Sequence, residues 1–140
     1  MKIGYSKTAA ATPAFALIAE GWNEQVQEGL TPDLRGDCPV AWTSQVLFAE
    51  REDREIVGVL CWIHDDVTNA FVVSLGYVEP TSRRRGTFRE LYAVLQKRAG
   101  EQQISRIVFQ VHTENATAQE VLKRLDLPVT SLVYEAILNP

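Results

Sequence analysis

Apolar positions along the chain change their period several times, and each change marks an element. Phe15, Ile18, Trp22 and Val26 recur at helical spacing behind Thr12-Pro13. The spacing predicts a first helix with Thr12 as cap, Pro13 at its first position and Gly29 at its end. Three runs of strand character follow, Trp42 to Arg51, Glu55 to His64 and Ala70 to Val78, joined by the polar turns 52–54 and 65–69. They predict an antiparallel meander. The third run, A-F-V-V-S-L-G-Y-V, has no charge and is rich in β-branched and aromatic residues, the pattern of a central, buried strand. Gly76 inside it predicts a bulge or the close approach of another group.

Helical spacing returns at Phe88, Leu91, Tyr92, Leu95 and Ala99. Arg106 to His112 reads as a strand, Asn115 to Leu125 as a helix and Ser131 to Leu138 as a closing strand. After an N-terminal helical part the order is therefore β-β-β-α-β-α-β. A mixed sheet with helices on both faces follows. The crossover from the Ala70 strand to the Arg106 strand should be right-handed and make these two parallel. Leu30 to Val40 is a Pro/Gly/Asp-rich loop of a length that is often functional.

The junction between the third strand and the second helix carries chemistry. It reads V-E-P-T-S-R-R-R-G-T-F-R-E-L, so Arg83, Arg84, Arg85 and Gly86 sit where a helix starts. The N–H groups of a first helical turn lack intrahelical partners, and the helix dipole is positive there. A glycine lets a ligand reach that backbone, so the stretch is built for a phosphate. The same run also fits a solvated helix start or a nucleic-acid patch.

This junction resembles the acyl-CoA signature of the GNAT superfamily of N-acetyltransferases, [Q/R]-x-x-G-x-[G/A]. Arg83 and Gly86 match it, Phe88 stands where a small residue is usual, and Pro80 sits where the family commonly has a proline. Asn115, Ala118, Val121 and Leu125 are similar to the family's N-x-x-A helix. The resemblance runs from about Val46 to the C-terminus. It implies a GNAT fold: α/β, with a mixed, mostly antiparallel central sheet, helices on both faces, and two parallel strands that splay around the acyl thioester. It implies acetyl-CoA as cosubstrate, no metal, and an amine as acceptor. It also implies cofactor contacts from Leu75, Tyr77 and Val78 on the strand, from Arg83, Arg84, Arg85, Gly86, Thr87 and Phe88 at the junction, and from Asn115.

Composition narrows the setting. A chain of 140 residues with 46% hydrophobic content has room for one core, so residues 1–140 read as a single domain. A formal charge of -4 argues against a general nucleic-acid partner. With no apolar run of membrane-spanning length, and an N-terminus unlike a signal peptide, the chain reads as cytoplasmic with no membrane partner. Cys38 and Cys61 are isolated and read as two thiols, Cys61 in the core. The closing strand leaves a homodimer through paired edges open.

Acetyl transfer needs an unprotonated amine, a polarised thioester carbonyl and a proton for the departing thiolate. The tyrosine that in many GNAT enzymes protonates the sulfur is replaced here by Leu122, and the glycine-aromatic pair ending that helix by Asp126-Leu127. Tyr134, His112 and Glu79 are the candidates for the missing catalytic groups, with Glu135, Glu114 and Tyr77 behind them. Tyr134 and Glu135 would face opposite sides of the closing strand. Two readings stay open: an N-acetyltransferase acting by direct attack in a ternary complex, or a silent acyl-CoA-binding or partner-binding module. Asp33, Asp37, Glu24 and Glu28 would suit a cationic amine.

Overall fold

The computed structural model describes residues 1–32 and 44–138. Five strands form one sheet in the order β1-β2-β3-β4-β5, namely Lys2–Ser6, Gln45–Glu50, Ile56–Asp65, Ala70–Val78 and Arg106–Phe109. The first four are mutually antiparallel, and β5 is parallel to β4. Helix α1 (Phe15–Gln27) covers one face, α2 (Thr87–Glu101) covers the other, and α3 (Ala116–Arg124) follows β5. The meander, the α2 crossover and the parallel β4–β5 pair are as the sequence pattern predicts.

Alternation of side chains builds two cores. Val46, Phe48, Val59 and Cys61 pack with Leu17 and Ile18 of α1, while Leu47, Leu60 and Trp62 pack with Leu91 and Leu95 of α2. Strand β4 breaks this alternation once. Cys61 pairs with Leu75 but Trp62 pairs with Val73, so Ser74 is an extra residue, a β-bulge. Phe71 and Val73 consequently face α2, whereas Leu75 and Tyr77 face α1. Without the bulge, all four would lie on one face.

Four expectations need correction. The N-terminal part is not only helical: Lys2–Ser6 pairs with β2 as β1, a partnership between distant segments that a five-residue stretch with a central glycine does not announce. Helix α1 starts at Phe15, two residues after Pro13, because Thr12 closes a turn instead. Its Oγ1 accepts the Ala14 N–H at 3.3 Å, and Phe15 itself stays exposed. The bulge is at Ser74, and at Gly76 it is the alternative, the close approach of another group, that holds. A Cβ there would lie 2.8 Å from the Phe88 ring, so Gly76 makes room for that large side chain.

The fourth correction concerns the closing strand. Ser131 to Leu138 forms no strand, and Leu132, Val133, Ile137 and Leu138 are exposed. Strand β5 supplies only four residues of ladder, and α3 buries none of its side chains, so this end of the sheet offers little surface to pack against. Trp42 and the 33–40 part of the long loop lie outside the described residues, as do Asp33, Asp37 and Cys38.

Candidate functional site

Strand β4 pairs with β5 only from Ala70↔Arg106 to Val73↔Phe109, yet it continues to Val78. Beyond Ser74 the two chains part, and among the described residues no strand fills the gap. The β4 backbone on that side is left open to a ligand. A cleft of about 1270 Å³ occupies the fork. Its walls are β4 from Val73 to Val78, the segment Phe109 to His112, the start of α2, one face of α3 and the second half of α1.

At one end stands the start of α2. Gly86 caps the helix with φ +79, a left-handed conformation that costs other residues about 1–2 kcal/mol. No side chain caps the helix, and space beside Gly86 is open. Glu90 N–H donates to the Gly86 carbonyl at 3.0 Å, so the N–H groups before it, at Thr87, Phe88 and Arg89, have no carbonyl one helical turn back within the helix. Thr87 is buried, its Oγ1 has no hydrogen-bond partner, and its methyl fits over Gly58. Arg84 and Arg89 are exposed and line the same end.

Beside it, at the end of β4, Tyr77 reaches α1. Its hydroxyl donates to Glu24 Oε2 at 2.6 Å, with Glu20 Oε1 at 3.3 Å. Burial first, and then these two carboxylates, push the Tyr77 pKa well above the usual tyrosine value. The phenol is a fixed donor at neutral pH. Arg83 Nε donates to the Val78 carbonyl at 2.8 Å, and its Nη2 lies 3.5 Å from Glu24 Oε1.

Of the residues expected from sequence, Leu75, Tyr77, Val78, Arg83, Arg84, Gly86, Thr87, Phe88, His112 and Asn115 line the cleft. Arg85, Glu79 and Tyr134 do not. Arg85 is turned to solvent on the far side of the bend at Arg84, which has φ 63. Glu79 belongs to the turn before α2. It accepts the hydroxyls of Thr81 at 2.5 Å and Ser82 at 2.9 Å, and these bonds hold its carboxyl below the usual range, a poor setting for a base. Tyr134 is 89% exposed, because the strand meant to carry it is absent.

His112 is better placed. Its Nδ1 accepts the Glu114 N–H at 3.0 Å, which puts the proton of the neutral ring on Nε2. Asn115 caps α3 by accepting the Ala118 N–H at 3.1 Å, and Leu122 presents an apolar side chain to the cleft. Sequence reasoning missed Arg89 and Ser74. Arg89 was visible as a cation in the first turn after Gly86, whereas nothing in a uniformly apolar run marks Ser74 as the bulge.

The acetyltransferase (GNAT) family profile matches residues 14–126. A mutant of the BH1408 protein from Bacillus halodurans superposes with a TM-score of 0.75 at 17% identity, covering 99% of this chain and 100% of that one. A ribosomal-protein-alanine N-acetyltransferase from Brucella melitensis biovar Abortus 2308 gives 0.72 at 18% identity, with coverage of 99% and 100%. An aminoglycoside acetyltransferase from an uncultured soil metagenomic sample, in complex with sisomicin, gives 0.71 at 14% identity, with coverage of 99% and 95%. At such identities the likeness is one of fold. A search of curated proteins by sequence finds no match.

Proposed function

Because this chain belongs to the acetyltransferase (GNAT) family, whose members are acyl-CoA-dependent transferases, we propose that it moves an acetyl group from acetyl-CoA to a primary amine of a small molecule or peptide. The observation that carries this reading is the fork between β4 and β5, open beside β4 and ending at an uncapped helix N-terminus. An extended pantetheine arm has the chemistry to pair with the edge of β4 at Leu75, Tyr77 and the N–H of Val78, whose carbonyl already accepts from Arg83. The diphosphate then meets the N–H groups of Thr87, Phe88 and Arg89, with Arg84 and the Arg89 side chain adding charge. Phe88 and Asn115 shape the walls of that channel.

In the transfer itself the amine nitrogen attacks the thioester carbonyl. A C–N bond forms, the C–S bond breaks, the nitrogen sheds a proton to water, and the CoA sulfur gains one. Leu122 has no proton to give. His112, whose neutral ring carries its proton on Nε2 and which lines the cleft, is the group we assign to hydrogen-bond the departing sulfur, while water supplies the proton. A thiolate of pKa near 8.5 is a good leaving group, so a hydrogen bond to its charge is assistance enough. His112→Ala is expected to cut turnover about tenfold and to leave acetyl-CoA affinity unmoved. A turnover equal to the parent's removes the assignment.

The test of the reading is calorimetric titration of acetyl-CoA, run beside an assay for free CoA thiol with polyamines, aminoglycosides, amino acids and peptide N-termini. Saturable binding with amine-dependent thiol release is the expected result. Binding without release would favour a silent acyl-CoA module. Gly86→Glu places a carboxylate against the diphosphate and should weaken binding about a hundredfold, because like charges in contact cost several kcal/mol. The variant should stay folded at a cost of about 1–2 kcal/mol for the left-handed backbone, since a Cβ at Gly86 meets nothing within 4 Å. Unchanged affinity in the folded variant would end the reading. The same proposal places the protein in the cytoplasm and pairs two copies through their exposed C-terminal segments.

A further inference from the structure

Arg83 stands first in the junction signature, where a phosphate ligand is expected, but its contacts lead elsewhere. Nε donates to the carbonyl of Val78, the last residue of β4. Nη2 faces Glu24 on α1, and the guanidinium carbon lies 5.4 Å from the centre of the Tyr77 ring. The other oxygen of Glu24 accepts the Tyr77 hydroxyl. Gly21, one turn earlier on α1, brings the helix so close that a Cβ would lie 2.7 Å from Tyr77 Cγ. These contacts form a closed loop, in which Arg83 holds the end of β4 and one oxygen of Glu24, while Tyr77 holds the other oxygen and carries the arginine on its face. All of them lie on α1 and β4. Among the described residues, by contrast, neither Arg84 nor Arg89 has a carboxylate within ion-pair distance.

We propose that Arg83 is a positioning residue of the cleft wall, tying α1 to the end of β4 through Glu24 and Tyr77, and that it is not a ligand of the diphosphate. This rests on the acyl-transfer reading above for what the cleft binds. The physical reason is one of donor geometry. An arginine that spends Nε on a strand carbonyl and sets Nη2 against a carboxylate presents that edge to β4 and α1, and offering the same edge to a phosphate would break the hydrogen bond and the ion pair. The end of β4 also borders the open edge, so the strap sets the distance between that edge and α1.

The experiment compares the parent protein with Arg83→Met, Arg89→Met, Glu24→Gln and the Arg83/Glu24 double variant. Acetyl-CoA titration at two salt concentrations reads the phosphate contacts, and amide hydrogen exchange over Phe15–Gln27 reads the strap on α1. For Arg83→Met we expect affinity within about threefold of the parent with the same salt dependence, and α1 amides about tenfold less protected. Glu24→Gln should loosen α1 similarly, and the double variant no further, as for two ends of one strap. Arg89→Met should weaken acetyl-CoA and flatten its salt dependence. With any amine that supports thiol release, Arg83→Met should leave the KM for acetyl-CoA in place.

A large loss of acetyl-CoA affinity in Arg83→Met with α1 protection unchanged would overturn the proposal. So would additive losses in the double variant. Failure of the parent to bind acetyl-CoA would instead strike the acyl-transfer reading. The exchange arm needs no cofactor and would still decide whether the strap exists.

Discussion

Tyr77 shows how completely a side chain's setting can depend on residues distant in sequence. In the strand pattern it is one apolar position among nine, but it is the donor that links β4 to Glu24 and Glu20 of α1. Its pKa is raised by burial and by those carboxylates, so the native state holds the phenolic proton more tightly than the unfolded chain does. The stabilisation is fully present below the unfolded value near pH 10 and falls as pH rises from there toward the folded value. Tyr77→Phe should cost about 1 kcal/mol at pH 7. Urea unfolding at pH 7 and at pH 10.5 is expected to show the parent's advantage shrinking at the higher pH. An advantage that grows with pH would contradict the bond. Phe88 and Gly76 make a second residue-scale point, since the large ring at the signature's last position is matched by the absent side chain opposite it.

At the scale of elements, β4 and α3 decide the shape of the cleft. The Ser74 bulge turns the second half of β4 so that Leu75 and Tyr77 face α1, and the departure of β5 after Phe109 opens the fork. Helix α3 closes the far wall with no buried side chain, so its stability rests on its ends. Asn115 caps the start, and Asp126, with φ 59, makes the left-handed bend after the end, where the family usually has glycine. Lys123 and Arg124 in the last turn suit the negative end of the dipole. Asn115→Ala should cost about 1 kcal/mol of local stability. It should appear as faster amide exchange confined to Ala116–Arg124, with the exchange of α2 unaltered. Exchange of α3 equal in parent and variant would show that the cap is dispensable.

At the scale of the whole molecule, the unmatched feature is the C-terminal segment. Val129, Leu132, Val133, Tyr134, Ile137 and Leu138 are each at least 69% exposed. Apolar side chains gathered in one segment are a common mark of an interaction site. Among the described residues β5 is the edge of the sheet, and the segment has the β-branched and aromatic character of a strand. We therefore expect a dimer in which each copy's segment adds to the partner's edge. Removal of residues 131–140 should convert it to a monomer in light scattering and leave the melting temperature of the remaining domain nearly unchanged. A parent that is already monomeric at high concentration would exclude this arrangement.

Much of the fold was legible because it is written locally. Helical and strand periods are properties of neighbouring residues, and they located α1, β2, β3, β4, α2, β5 and α3, with the junction at Gly86 and the cap at Asn115. Whatever depends on contacts between distant segments was not legible. The strand character of Lys2–Ser6 comes from pairing with β2, and the failure of Ser131 to Leu138 to join the sheet comes from a four-residue edge beside it. Which of Glu79, His112 and Tyr134 meets the cleft was set by the same kind of contact. The sequence by itself determined the family, the order of elements from α1 to α3 and the glycine at the start of α2, since each rests on residue types at fixed short spacing. Only the tertiary structure decided that Ser74 turns β4, that Gly76 seats Phe88 and that Arg83 binds α1, because a side chain's partners are fixed by how distant segments pack.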